Sequence, residues 1–298
     1  SDRTVAEFGG DGTAPDIKEL TPVAPNVVRV TFWTPIEPGA WTEISHPSGL
    51  KTCLGYLPGD ASQDGTSEPA DIDALILATT TPDRTVPATS STVQNLLGLS
   101  SCGAFDLNAA CSGWVYALVN AHGLIAMGAR KVLVIGTDTL DRITDYTDRN
   151  TGILFGNGSG AAVVEAVDGP GELLGWDLDS LGEAEGALFA EVGGFLQMEG
   201  KEVFRRAVRI MVESATASMA RAGVTADDIA LVVPHQANIR IISASCDRLG
   251  IGLDRASIVL DHTGNTSAAS IPLALAAALD AGRVADGDLI LFVGFGAG

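Results

Sequence analysis

Three polar side chains in an otherwise apolar chain stand where covalent chemistry could be built. Cys111 lies in Asp106-Leu-Asn-Ala-Ala-Cys-Ser-Gly-Trp114, between a strand-like segment and the start of a long apolar helix. Unpaired amides and the helix dipole favour an anion at such a position, so the sequence predicts a thiolate with a pKa lowered from about 8.5 toward neutrality. Cys111 is the one cysteine placed to act as a nucleophile. Cys53, Cys102 and Cys246 are far apart and form no CxxC, which fits neither a zinc site nor a disulfide framework, and each reads as a small packed hydrophobe. The other two groups are His235, in Val232-Val-Pro-His-Gln-Ala-Asn238, and Asn265, in Asp261-His-Thr-Gly-Asn-Thr-Ser267.

An internal repeat gives these separated residues a reason to meet. Ala70-Asp-Ile-Asp-Ala-Leu-Ile-Leu77 returns as Ala226-Asp-Asp-Ile-Ala-Leu-Val-Val233. Each copy is followed by a helix ending in Leu-Gly, a strand (Phe105 to Leu107, then Ile258 to Leu260), a turn of small residues, an Ala-rich helix and a further strand (Val132 to Ile135, then Leu289 to Val293). Strands alternating with helices imply a mostly parallel sheet covered on both faces. In a duplicated unit with a pseudo-twofold axis, equivalent strand ends meet at the centre. Cys111 from one half is then expected to face His235 and Asn265 from the other.

The organisation expected is an atypical segment over residues 1–68, a first half over 69–168 carrying the cysteine, and a second half over 169–298 carrying the histidine and asparagine. Eight of the 13 prolines precede Asp71, and no regular fold is assigned there beyond a strand over Asn26 to Trp33. The second repeat is introduced by a helix over Glu202 to Ala222, and the first lacks the corresponding helix. Gly156-Asn-Gly-Ser-Gly160 is followed by a strand-like segment and by no Lys-Ser/Thr, so it reads as a tight turn in the core and not as a phosphate loop.

Composition narrows the function classes. The 298 residues are 46% hydrophobic and 18% charged, which requires a large buried core. Lys and Arg number 18 against 37 Asp and Glu, a net charge of −19 that argues against gripping nucleic acid. The longest apolar run, Ile271 to Leu279, is about half of the ~20 residues a membrane span needs. The start, SDRTVAEFGG, has no cationic and apolar leader, and the expectation is a cytoplasmic protein. Lys201 to Arg255 is locally positive, and Arg205, Arg206, Arg209, Arg240 and Arg248 form a candidate surface for an acidic partner.

The quoted segments carry a family resemblance. Ala110-Cys-Ser-Gly with a following aromatic, Pro234-His-Gln-Ala-Asn238, and His262-Thr-Gly-Asn-Thr-Ser-Ala-Ala-Ser-Ile-Pro272 resemble the three active-site segments of β-ketoacyl-[acyl-carrier-protein] synthase III, within the thiolase-like superfamily. The resemblance runs from about Pro69 to Gly298 and implies a duplicated α/β unit layered αβαβα, preceded here by an atypical N-terminal segment. It implies a decarboxylative Claisen condensation, with Cys111 acylated by an acyl-CoA and with His235 and Asn265 holding the thioester carbonyl of a malonyl unit on acyl carrier protein. The amides of Cys111 and Ala297 would form the oxyanion hole. Phe155 and Met198 resemble positions lining the acyl pocket, and Arg149 resembles a CoA-contacting residue. Asn238 and Arg240 would meet the pantetheine arm, and Arg205, Arg240 and Arg248 would dock the carrier protein.

No cofactor and no metal is implied, CoA and phosphopantetheine thioesters being the substrates. A homodimer is implied, with Thr80 to Pro87 near the partner's pocket. Two departures stand out: residues 1–68 do not match the family's opening strand, helix and Trp- and Arg-containing segment, and the sequence stops at Gly298 where the family continues into another strand. Competing readings on the same scaffold are acyl transfer to an alcohol or amine, and a non-catalytic homologue.

Overall fold

The computed structural model describes residues 71–99, 102–167 and 172–297 in full, together with the backbone of four N-terminal strands. Those strands form two antiparallel pairs, β1 (Ile17–Ala24) with β2 (Val27–Phe32) and β3 (Thr34–Glu37) with β4 (Ala40–Thr42). The predicted strand over Asn26 to Trp33 is β2. Cys53 and the stretch in which a helix is missing from the first repeat lie outside the described residues.

The first sheet has the order β6-β5-β7-β8. β5 (Ala74–Ala78) is flanked in parallel by β6 (Gly103–Leu107) and β7 (Lys131–Thr139), and β8 (Asn157–Glu165) runs antiparallel to β7. The runs Leu75 to Ala78 and Val132 to Ile135 are buried throughout, as strands covered on both faces must be. In the second half β11 (Ile229–Pro234) pairs in parallel with β12 (Leu289–Val293).

Helices α2 (Gly113–Ala126) and α6 (Ser270–Asp280) share one core with both sheets, α1 (Thr89–Leu96) packs outside the first sheet, and α3 (Gly200–Ala222) and α4 (Ile239–Leu249) pack outside the second. This is the expected αβαβα layering. The two central helices are lined by small residues at matched places. Gly113, Ala117 and Ala121 of α2 correspond, 157 positions on, to Ser270, Ala274 and Ala278 of α6, and all six are buried. Small side chains there let both helices approach the sheets closely.

Two local expectations are corrected. Residues 156–160 are not a tight turn: β8 begins at Asn157, and its glycines allow close packing. A Cβ on Gly158 would lie 2.9 Å from Thr266 and one on Gly160 2.7 Å from Pro272. Ile258 to Leu260 is not a strand either. Only Ala256 bridges to Val232, and the chain then turns into the short helix α5 (Leu260–Thr263). The buried Gln236 side chain replaces the ladder, its Nε2 donating to the Ser257 carbonyl at 3.1 Å and its Oε1 accepting from the Val259 amide at 2.9 Å.

Candidate active site

Cys111 and Asn265 are presented by two copies of one backbone device. The Asn108 side-chain oxygen accepts from the Ala110 amide at 3.2 Å, and Ala110 takes φ +45°. In the second half the Asn265 Oδ1 accepts from the Ser267 amide at 2.9 Å, and Ser267 takes φ +51°. Positive φ is costly for residues with a Cβ, and the asparagine side chain holds each turn in place. A single 3-10 turn follows in each half, Ala110–Ser112 and Ser267–Ala269, and then the central helix begins.

The two turns abut. A Cβ on Gly113 would lie 3.4 Å from the Ala268 Cβ, and the Ser267 side chain hydrogen-bonds Cys111. The closing segment after β12 lies over the cysteine: a Cβ on Gly296 would stand 2.8 Å from the Cys111 Cβ and 2.9 Å from its amide nitrogen. Only glycine permits that approach.

His235 follows β11, 1% exposed, with Nδ1 2.6 Å from the Ser270 hydroxyl and its ring in edge contact with Phe295 at 5.3 Å. Burial drives its pKa down to about 3, so the imidazole is neutral at any working pH. With Nδ1 taken by Ser270, Nε2 is left for a substrate. Asn265 is 7% exposed, and because Oδ1 is held by the Ser267 amide, its Nδ2 is the remaining donor. Contacts through Ser267, Ser270 and Phe295 thus link Cys111, His235 and Asn265 into one buried cluster.

The cysteine corrects the sequence expectation. Burial pushes its pKa up to about 12, the Ser267 hydrogen bond opposes the rise, and the charge of Asp138 adds to it. A helix N-terminus is nearby, but with no ligand bound desolvation dominates and Cys111 is a thiol.

The remaining residues are dispersed. Phe155 bridges to Asn265 through the backbone, and Met198 is half-buried in the short strand β10 (Gln197–Met198), paired with β9 (Leu188–Phe189). Arg149 is exposed on the loop before β8. Asn238 caps α4, its Oδ1 accepting from the Arg240 amide at 2.9 Å. Arg240 lies over the Phe204 ring at 5.6 Å, and Arg248 is exposed on the last turn of α4. Arg205 is paired with Glu202 at 2.8 Å, so its charge is already met, and Arg206 reaches the same carboxylate at 2.5 Å. Arg209 is exposed, as is Ala297 beside Gly296.

Sequence reasoning missed Asp138, Ser267, Ser270 and Phe295. An acid inside a strand that otherwise buries apolar residues was the available signal for the first. Among the described residues no cluster suited to a metal ion is present, and no helix is long and apolar enough to cross a membrane.

Comparison with known proteins places the chain in a family. Residues 105–182 match the family model "3-Oxoacyl-[acyl-carrier-protein (ACP)] synthase III", and residues 219–298 match the model of its C-terminal part. The β-ketoacyl-[acyl-carrier-protein] synthase III of Dinoroseobacter shibae is 45% identical over 241 residues, 76% of this chain and 74% of the relative. The solved synthase III of Thermus thermophilus aligns with a TM-score of 0.73 at 45% identity, covering 76% of this chain and 74% of that one. The priming β-ketosynthase of the R1128 polyketide pathway aligns with a TM-score of 0.70 at 38% identity, covering 77% and 73%. The chain belongs to the β-ketoacyl-[acyl-carrier-protein] synthase III family.

Proposed function

We propose that this protein condenses an acyl-CoA with malonyl-[acyl-carrier-protein], priming fatty-acid or polyketide synthesis as an acyltransferase working through acyl-Cys111. The Cys111 sulfur attacks the acyl-CoA carbonyl, CoA leaves, and the thiol proton departs with the CoA sulfur. Malonyl thioester then loses CO2, and the electron pair of the broken bond becomes an enolate. The enolate attacks the acyl-Cys111 carbonyl, the new carbon–carbon bond forms, and the Cys111 thiolate is expelled and reprotonated. In the first and third steps the amides of Cys111 and Ala297 stabilise the carbonyl oxygen.

One observation carries this reading. His235 and Asn265 are both buried and neutral, and each has one polar atom tied down, by Ser270 and by the Ser267 amide. With the Ser270 hydroxyl donating to Nδ1, His235 presents Nε2–H and Asn265 presents Nδ2–H. Two neutral donors stabilise an enolate oxygen without delivering a proton that would quench the carbanion, and one such donor is worth about 3 kcal/mol, a rate factor of about 10²–10³. The other proposed roles are spread over both halves: Phe155 and Met198 at the acyl chain, Arg149, Asn238 and Arg240 at CoA and the pantetheine arm, and Arg205, Arg240 and Arg248, on α3 and α4, at the carrier protein. A second copy of the chain suits the exposed apolar side chain of Val86, within Thr80 to Pro87. Incubation with acyl-CoA is expected to add one acyl mass to the Cys111 peptide and none to Cys111→Ala. Labelling elsewhere, or none, would contradict the reading.

A further inference from the structure

Asn265 is held in place by the other half of the molecule. Its amide donates to the Leu154 carbonyl and its carbonyl accepts from the Gly156 amide, each at 2.9 Å, which makes an isolated parallel bridge between Phe155 and Asn265. With Oδ1 bound by the Ser267 amide at 2.9 Å, three contacts fix the residue, and two of them come from the first half. The residue before it offers no such restraint: Gly264 takes φ +65°, and a residue without a Cβ turns either way.

The first-half side of this bridge is braced. Asp148 accepts from the Asn150 amide at 2.9 Å and from the hydroxyl of the buried Thr151 at 3.0 Å, and the Leu154 amide donates to the Thr151 carbonyl at 3.0 Å. Beyond the bridge β8 begins, and the buried Asn157 accepts from the Asp141 amide at 3.1 Å. Between these two anchors Gly156 lies against the second half. A Cβ there would stand 2.4 Å from the Thr263 carbonyl oxygen, so only glycine lets the two stretches of backbone approach.

We propose that Gly156 is a positioning residue for the malonyl step: lacking a Cβ, it lets the Leu154–Gly156 backbone clamp Asn265, and the clamp aims Nδ2 at the thioester carbonyl. The enolate formed on CO2 loss is stabilised by a donor already in place. A displacement of about 1 Å can cost about 100-fold in rate. Acylation of Cys111 draws on the amides of Cys111 and Ala297 and does not need the clamp.

The inference rests on the reading of Asn265 as a carbonyl-holding group, and the test separates the two. Acyl-Cys111 formation from acyl-CoA, followed by peptide mass, and CO2 release from malonyl-[acyl-carrier-protein] are measured on the full chain. Gly156→Ala is expected to acylate at close to the parent rate and to release CO2 about 10- to 100-fold more slowly. Gly175→Ala is the matched packing loss: its Cβ would meet the Ser218 carbonyl oxygen at the same 2.4 Å, against α3 and not the bridge, and it should keep the parent ratio of CO2 release to acylation. In an Asn265→Ala background, Gly156→Ala should slow CO2 release by no more than about twofold further, because the clamp then has nothing to aim. If Gly156→Ala does not fold, Thr263→Val reads the clamp from its other face. The Thr263 hydroxyl lies 3.0 Å from both the Val259 and Gly264 carbonyls, and its loss loosens the residue before Asn265. CO2 release should then slow by about twofold or more, and only while Asn265 is present. The clamp is overturned, with Asn265 kept in its role, if the folded variant releases CO2 at the parent rate, loses acylation in the same proportion, slows Asn265→Ala as much as it slows the parent, or is matched in its ratio by Gly175→Ala. CO2 release at the parent rate by Asn265→Ala overturns both.

Discussion

The turn at Cys111 and the turn at Ser267 share a backbone and differ in what they hold out. Each has an asparagine capping the amide two residues on, a positive φ on a residue with a Cβ, one 3-10 turn and a helix lined by small residues. The first places a thiol after the strained residue. The second places Ala268 there and moves the chemistry to its neighbours, the Asn265 amide and the Ser267 hydroxyl, with His235 arriving from the preceding strand. The two turns are thus rigid platforms facing each other, one holding out a thiol and the other a carboxamide and a hydroxyl. The cost of strain is met twice by the same device, which puts all these polar groups on fixed backbone.

The comparison breaks most severely where a strand of one half meets the turn of the other. A Cβ on Gly136 of β7 would stand 2.4 Å from the Ala268 carbonyl oxygen, whereas one on Gly294, after β12, would stand 3.3 Å from the nearest atom, the Ser112 Cα. Gly136→Ala is expected to destabilise by about 2–3 kcal/mol and Gly294→Ala by about 1 kcal/mol or less, measured by urea unfolding. Equal losses would mean that the two strand-to-turn contacts are equally tight, against the difference in approach.

Ionisation separates the platforms next. In the second, His235 has a folded pKa of about 3, below its unfolded value of 6.5, so the unfolded chain takes up the proton first. Stability is complete above about pH 6.5 and falls by about 1.4 kcal/mol per unit as pH drops below it. In the first, Cys111 has a folded pKa of about 12 against 9.0, so the unfolded chain loses its proton first and stability falls as pH rises above 9. Unfolding midpoints against pH should lose the acid slope in His235→Gln and the alkaline slope in Cys111→Ala. Retention of either slope would misplace that group.

The smallest difference concerns the capping asparagines. Asn108 is exposed, and Asn108→Ala should cost about 0.5–1 kcal/mol. Asn265 is buried, and Asn265→Ala leaves the Ser267 amide unpaired at a cost of about 1–3 kcal/mol. Thermal unfolding of the pair checks the order.

Much of this was legible in the sequence because a repeat turns distant motifs into neighbours. The two Ala-rich helices and most strands followed from apolar runs and their order, and the closeness of Cys111, His235 and Asn265 from their places at equivalent strand ends of the repeat. The misreadings have physical causes. Ile258 to Leu260 has the composition of a strand, but Gln236, 21 residues before Ser257 and 23 before Val259 and so outside any local pattern window, takes the hydrogen bonds of that segment. Glycines at 156–160 signalled a turn where close packing against Pro272 and Thr266 required them in a strand. The Cys111 pKa was misjudged because a helix N-terminus is visible in sequence and burial is not. Asp138 escaped notice because its four hydroxyl and amide partners at Thr79 to Thr81 precede it by more than fifty residues.

The division of labour between the two platforms is tested most directly by supplying pre-acylated protein with malonyl-[acyl-carrier-protein] and following CO2 release and the Cys111 peptide mass together. His235→Ala and Asn265→Ala should keep the acyl group on Cys111 and release CO2 at least about 100-fold more slowly than the parent protein. Variants that fail to acylate at all, or that release CO2 at the parent rate, would contradict the assignment of nucleophile to one half and carbonyl binding to the other.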